Sequence, residues 1–263
     1  MDIEQVEKDM YVLVGETYQS DSLLLTKGDD ALLIDAMASR QDAERLRRFV
    51  ECDLKKQARF IICTHFFSDH LAALKLFPQS QIVAHKHYKH TFDSELHRSE
   101  EELANFVEPT MLISDEMTMR WGSYTLDIFH NPAHTMSTLC IDIPDVDLLV
   151  VGDTLVGNMV YFCYTTPEMF YPALKKLQRR GRNRLLSSHL GLRRGDAINN
   201  GLHYLTVLQE KVEAARRAYD EASILNIGLD DCLPPGASIS SYERIFHERN
   251  LRSIVERKLF AAR

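Results

Sequence analysis

The sequence predicts an α/β protein with two strand-rich halves, followed by a helical C-terminal extension. Three observations carry this prediction. Short apolar or β-branched runs recur in two series, one before residue 85 and one between residues 117 and 151. Amphipathic stretches near helical spacing lie between them. Beyond Gly195 the strand pattern stops, and two long helix-periodic stretches rich in Glu, Arg, Leu and Ala take over.

In chain order, residues 10–14, 22–26 and 31–34 read as strands, with Lys27, Gly28, Asp29 and Asp30 as a hairpin-type turn. Ser39 is placed to cap a helix through Val50: its oxygen can accept from the free N–H groups of the first turn, and Ala43, Leu46 and Val50 follow near helical spacing. Residues 59–63 are a compact apolar run ending at Thr64 and read as a buried strand; a polar loop and a helix over 70–77 should follow. Residues 81–84 read as a strand and 85–106 as a polar helical segment. Strands over 117–121, 124–129, 138–143 and 148–151 come next, with turns at Trp121-Gly122-Ser123-Tyr124 and Pro144-Asp145-Val146-Asp147. A helix near 171–180 leads to a last strand at 185–187. Residues 197–222 and 240–260 are the C-terminal helices, broken apart by Pro234, Pro235 and Gly236. The expected division is therefore a strand-rich domain over 1–195 and a helical extension over 196–263 packed on the same domain.

Composition sets the outer limits. With 263 residues, 45% of them hydrophobic, the chain can bury one large core. A formal net charge of −7 argues against nucleic acid as the partner, since phosphate neutralisation supplies most of that affinity. Early Asp2, Glu4 and Glu7 do not fit a signal peptide, and no apolar run approaches the ~20 residues of a membrane span. A soluble, cytoplasmic protein acting on a small molecule is the expectation. The cysteines Cys52, Cys63, Cys140, Cys163 and Cys232 form no CxxC pair, so neither a disulfide framework nor a structural zinc knot is indicated. Cys63 and Cys140, in apolar runs, read as small buried hydrophobes.

The densest chemical signal is Thr64-His65-Phe66-Phe67-Ser68-Asp69-His70, two imidazoles and a carboxylate pair-wise close in the loop after an apolar strand. Imidazole and carboxylate are ligands that suit zinc, iron and manganese. Three further pieces occupy the same context at strand ends: Asn131-Pro132-Ala133-His134-Thr135, Val151-Gly152-Asp153-Thr154 and Ser187-Ser188-His189-Leu190-Gly191. Taken singly, each histidine or aspartate is accounted for by packing or by a solvated loop. The ordered set is what argues for a metal site.

In that order the pieces resemble the metallo-β-lactamase superfamily, in particular its glyoxalase-II-like hydrolase branch. The family pattern is HxHxDH, a Gly-His-Thr turn, Gly-Asp and Gly-His-Gly; here these positions hold HFFSDH at 65–70, AHT at 133–135, GD at 152–153 and SHLG at 188–191. The resemblance implies a four-layer αββα sandwich. It implies a first metal site using His65 and His134, a second using Asp69, His70 and His189, and Asp153 bridging them. Phe67 departs from the pattern, standing where the family has its second histidine, and this favours a single tight ion in the Asp69, His70, Asp153 and His189 pocket. Zinc is the expected ion, with iron or manganese as alternatives and one or two ions per chain. Asp69 then lies beside the metal-activated water, as its orienting group or proton acceptor, and Asp35 stands behind a ligand histidine. No cysteine takes a ligand position, which speaks against antibiotic hydrolysis as the native role.

Other residues have open readings. Arg193 and Arg194, soon after His189, could meet an anionic substrate group or simply face solvent. Tyr161 and Tyr164 could line the pocket or pack in the core. His85, His87, His90 and His97 are explained by a solvated helix, with a substitute-ligand role as the sharper alternative. The basic stretch of Lys175, Lys176, Arg179, Arg180, Arg182 and Arg184 reads as a helix face and C-terminus. The C-terminal helices could bury their own apolar face, lid the cleft or form a homodimer contact.

These readings converge on a metal-dependent hydrolase of small esters, thioesters or related molecules with an asymmetric metal centre. The alternative is a catalytically reduced member of the fold that binds a ligand or partner in regulation, and Phe67 is the feature favouring it. An iron or manganese redox protein is a third reading.

Overall fold

The computed structural model describes residues 1–95, 98–162, 164–218 and 220–260. His97 and Cys163 therefore lie outside the described residues.

The first half of the chain gives β1 (Asp2–Glu7), β2 (Met10–Val14), β3 (Asp21–Lys27), β4 (Asp30–Ile34), α1 (Arg40–Arg48), β5 (Gln57–Ile62), β6 (Gln81–His85), α2 (Tyr88–Ser94), α3 (Glu100–Ala104) and β7 (Met111–Ile113). Its strands form a seven-stranded sheet in sequential order, antiparallel from β1 to β4 and parallel from β4 to β7. The second half gives β8 (Glu116–Trp121), β9 (Tyr124–His130), β10 (Leu139–Ile143), β11 (Leu148–Gly152), α4 (Pro167–Arg180), β12 (Arg184–Ser187), β13 (Leu192–Arg194), α5 (Ala197–Arg217) and α6 (Ser241–Arg257). Here six strands are ordered β13-β12-β11-β10-β9-β8, and only β11 and β12 run parallel.

Strand periodicity explains how the layers stack. Side chains alternate faces along a strand, so a strand buried on both faces must be apolar at nearly every position. Leu23, Leu25, Leu32, Ile34 and Ile62 of the first sheet meet Ile128, Ile141, Leu148, Val150 and Leu186 of the second in one shared core. Their neighbours Leu24, Leu33 and Ile61 point the other way, onto Ala43, Leu46 and Val50 of the α1 region. Cys140, Leu149, Val151 and Leu185 likewise face α4, α5 and α6. The result is the expected four-layer αββα sandwich. Each fully buried leucine in it contributes about 1.5–3 kcal/mol.

Most predicted elements appear within a residue or two, and Ser39 caps α1 by accepting from the Asp42 N–H at 3.2 Å. Strands β1, β7 and β13 were not predicted; they are short or polar and sit at or near sheet edges. The helix expected over 70–77 is absent. Single 3-10 turns at Ser68–His70 and Leu74–Leu76 replace it, because the backbone there pairs with residues 36 and 37 instead of with itself. Ala36 donates to the His70 carbonyl at 2.9 Å, and Ala72 and Ala73 donate to Met37 and Ala36 at 3.1 and 2.8 Å. The polar helix expected over 85–106 is two short helices, α2 and α3. His85 is buried at the end of β6 and not on a solvated helix.

The C-terminal helices share one core with the second sheet: Tyr204, Leu205 and Leu208 of α5 and Leu251 and Ile254 of α6 pack with Phe162, Phe170 and Leu177. No described helix is long and apolar enough to cross a membrane.

Candidate metal centre

The site lies where strands of both sheets end. β4 runs out into Asp35, β5 into the 64–70 loop, β11 into Asp153 and β12 into His189, while the β9–β10 connection carries His134. Backbone bonds join these ends: Asp35 N–H to the Ile62 carbonyl at 2.9 Å, Leu139 N–H to Thr64 at 2.7 Å, and Asp21 N–H to Ser188 at 2.8 Å. Gly152 makes the turn into Asp153 with φ +56, and a Cβ there would press the Thr64 side chain at 3.1 Å. Only glycine takes that conformation in so little space without strain.

Six side chains converge as two groups, His65 with His134 and Asp153, and Asp69 with His70 and His189. Within each group the potential ligand atoms lie within 4.8 Å of one another. Asp153 Oδ2 joins the groups, 3.3 Å from His189 Nε2 and 3.9 Å from both His70 Nε2 and His134 Nε2. Asp69 Oδ1 is 3.3 Å from His70 Nε2, and its Oδ2 is 3.5 Å from His189 Nε2.

The outer nitrogens fix which ring nitrogen each histidine turns inward. A carbonyl can only accept, so His134 Nδ1 donates to the Tyr161 carbonyl at 2.9 Å and His189 Nδ1 donates to the Tyr18 carbonyl at 2.8 Å. Thr64 Oγ1 donates to Asp35 Oδ2 at 2.7 Å, which leaves its oxygen to accept from His65 Nδ1 at 3.0 Å. In each case Nε2 is turned towards the centre. Asp35 also accepts from the Thr64 N–H and the Ser188 hydroxyl, both at 2.7 Å, and lies 3.6 Å from His70 Nδ1. It sits at φ +58, a left-handed conformation that aspartate tolerates better than most residues.

Charge is distributed unevenly over this cluster. Burial and the neighbouring His70 push His65 down to about 3, and burial also lowers His134, so both are neutral. Burial opposes protonation of His70 too, but Asp69, Asp35 and Asp153 outweigh it and lift it to about 9. Asp153 and Asp69 overcome burial at His189 in the same way and raise it well above the usual range. Burial pushes Asp35 up, yet its contacts with His70, His65 and Ser188 bring it below the ordinary value. Nε2 of His65, His70 and His134 and Oδ1 of Asp153 are buried without a hydrogen-bond partner. Buried polar atoms are rarely left so, and imidazole nitrogens with carboxylate oxygens gathered at one point are the donor set a divalent cation requires. The residues fit such an ion.

Phe67 is buried beside this set, its ring 5.2 Å from His65, 5.3 Å from His134 and 4.5 Å from Tyr164. Tyr161 lines the cleft over the cluster and stacks on His134. Arg193 and Arg194 do not reach it; they lie on β13 and border a separate polar groove with Asn158 and Pro235. His85 and His87 are also elsewhere, grouped with His130. Lys176 donates to the His130 carbonyl at 2.9 Å, and Arg182 pairs with buried Asp142 at 2.7 Å, so part of the basic stretch is structural.

Sequence reading missed the residues α6 brings. Tyr242, Phe246 and Arg249 line the cleft, spaced i, i+4, i+7 along one helix face. Two buried polar residues hold α6 against the loop that follows Asp153. Glu243 accepts from the Asn158 N–H at 2.7 Å, and Asn250 Nδ2 donates to the Val160 carbonyl at 2.7 Å. A helix with buried Glu and Asn between aromatics is the signal that could have pointed to this role.

A model of the metallo-beta-lactamase superfamily matches residues 15–187. The chain is 22% identical to a metallo-beta-lactamase type 2 of Bacillus cereus over 157 residues, which span 57% of this chain and 59% of that relative. Among solved structures, a metallo-beta-lactamase from Pontibacter korlensis superposes with a TM-score of 0.62 at 14% identity, covering 75% of this chain and 95% of that one. A stereoselective inverting sec-alkylsulfatase from Pseudomonas sp. superposes with a TM-score of 0.74 at 12% identity, covering 99% of this chain and 50% of that one. At such identities the structural likeness speaks for the fold alone.

Proposed function

We propose that this chain, which belongs to the metallo-beta-lactamase superfamily, is a metal-dependent hydrolase of a small ester, thioester or related substrate. The observation that carries this reading is the convergence of partnerless buried atoms, Nε2 of His65, His70 and His134 and Oδ1 of Asp153, beneath a cleft that His134 and Asp153 line. A divalent ion bound there supplies Lewis acidity and an acidified water.

The chain's own residues do the rest. His65, His134 and Asp153 would hold one ion and Asp69, His70 and His189 the other, with Asp153 facing both. Asp35 holds Thr64 and Ser188 in place and so orients His65 and His70 from behind. Asp69 is the most exposed of the six and borders the cleft, so its carboxylate is the group to orient the attacking water and take its proton. Phe67 gives the His65 side an aromatic wall in place of a further ligand, and this makes the centre asymmetric. Zinc is the ion proposed, and the motif order points to the glyoxalase-II-like branch.

The same wall supports a second reading, a protein that keeps the fold and a cleft for a ligand but not the reaction. Elemental analysis of protein purified without a metal-binding tag or chelator, with a screen of esters and thioesters, separates the two. The hydrolase reading expects at least one tightly held zinc, iron or manganese ion per chain, with retention and turnover both lost in Asp69→Ala and His189→Ala. Unchanged metal content in those variants would sink the ligand assignment. No metal taken up even on addition would leave the ligand-binding protein.

A further inference from the structure

The cleft above the cluster measures about 340 Å³, at the small end for a ligand pocket. Its walls are largely aromatic: Tyr18, Phe67, Tyr161, Tyr164, Tyr242 and Phe246. The rings form an arc. From His189 it passes to Tyr242 at 5.6 Å, on to Phe246 at 4.6 Å, to Tyr161 at 4.5 Å and to His134 at 5.6 Å. Phe67 and Tyr164, 4.5 Å apart, belong to the same wall on the His134 side, with Phe67 5.3 Å and Tyr164 6.1 Å from that ring. Rings packed at these spacings present rigid edges and faces that suit another planar ring.

The cleft carries four carboxylates and one arginine, unevenly placed. Asp69 and Asp153 face the histidine cluster, and Glu95 and Glu102 are turned to backbone N–H groups. Glu95 accepts from the Ser68 N–H at 2.9 Å and Glu102 from the Ser99 N–H at 2.7 Å. Arg249 is the only lysine or arginine among the described residues that line it, with its guanidinium 5.1 Å from the Phe246 ring. Tyr242 and Arg249 are two turns apart on α6, about 10 Å at the helical rise. One end of that span lies over His189, and the other ends in a cation. A single ring with one substituent towards the cluster and an anionic group opposite it fills such a span.

We propose that the cleft selects a monocyclic aryl substrate carrying an anionic group, with its ring against Phe246, Tyr161 and Phe67 and the anion on Arg249. The bond to be cleaved then faces the His and Asp cluster. This selectivity deepens the hydrolase reading and rests on it for the reaction, but not for binding.

The test is therefore a binding experiment on the full chain loaded with zinc, using 4-hydroxybenzoate as probe, titrated by calorimetry or ligand-observed NMR. The uncharged 4-hydroxybenzamide and ring-free acetate should each bind about tenfold more weakly. Arg249→Gln, on an exposed turn, should remove the preference for the acid over the amide. Phe246→Leu should weaken both ring compounds about fivefold or more with little change in thermal midpoint. Equal binding of acid and amide, acetate binding as well as 4-hydroxybenzoate, or an acid preference that survives Arg249→Gln would overturn the proposal. A chain that binds 4-hydroxybenzoate through Arg249 and cleaves no ester would refute the hydrolase reading and keep this one. A chain that cleaves esters indifferently to Arg249→Gln would do the reverse.

Discussion

Two histidine clusters sit at strand ends in this protein, and their difference shows what sets the candidate metal centre apart. His85, at the end of β6, stacks on His130, at the end of β9, with ring centres 3.9 Å apart, and His87 lies beside them. There the nitrogens are satisfied locally. His85 Nε2 meets the Ser114 carbonyl at 3.1 Å, His85 Nδ1 accepts from the His87 N–H at 3.2 Å, and His130 Nε2 meets the Met136 carbonyl at 2.9 Å. Burial holds His85 and His130 below the ordinary range, and the pair packs as neutral rings. At the other cluster, backbone or hydroxyl oxygens take up only the outer nitrogen of His65, His134 and His189. The inner nitrogens are turned towards Asp69 and Asp153, and those of His65, His70 and His134 have no hydrogen-bond partner. A strand-end histidine group thus offers a cation site only where carboxylates accompany it and lone pairs are left over.

The largest effect expected from breaking this contrast is that of Asp153→Ala. Asp153 faces both groups, so the variant should lose every ion the wild type holds and about a thousandfold in turnover. Elemental analysis with steady-state rates checks this, and a variant that kept its full metal content would show that the groups hold their ions independently. Phe67→His is the next in size. A third imidazole beside His65 and His134 should raise metal stoichiometry towards two per chain by the same analysis. No rise would mean that the site is blocked by more than one missing ligand.

The smallest effect belongs to the packed pair. Burial, with the nearby His130, lowers His85 from 6.5 to about 4, so the native state binds fewer protons than the unfolded chain between those values. Stability from His85 is then present above pH 6.5 and is lost as the pH falls towards 4. With allowance for solvent screening the loss is about 1 kcal/mol. Urea unfolding at pH 7.5 and pH 5 should show a shallower decline for His85→Gln than for the wild type, with metal content unchanged. An equal decline in both would place the acid sensitivity elsewhere.

The strands of the sandwich were legible because burial on both faces forces near-continuous apolar runs, as at residues 31–34 and 148–151. The candidate ligands were legible because each follows such a run, and a strand's end is fixed once the strand is. The segment after Asp69 was misread, since its apolar residues fit a helix while its backbone bonds go to residues 36 and 37, far away in sequence. His85 was read as solvated because nothing local announces the stack with His130.

By itself, then, the sequence determined the two-faced strands, the order of the motifs and the chemical type of each candidate ligand, all properties of local pattern. Only the tertiary structure decided the rest: the lone pairs left unpaired, the charge on each imidazole, and the α6 side chains that wall the cleft. Those depend on groups brought together across more than a hundred residues, as Ser188 is to Asp35. Burial and Coulomb interaction act on distance in space, which local pattern does not contain.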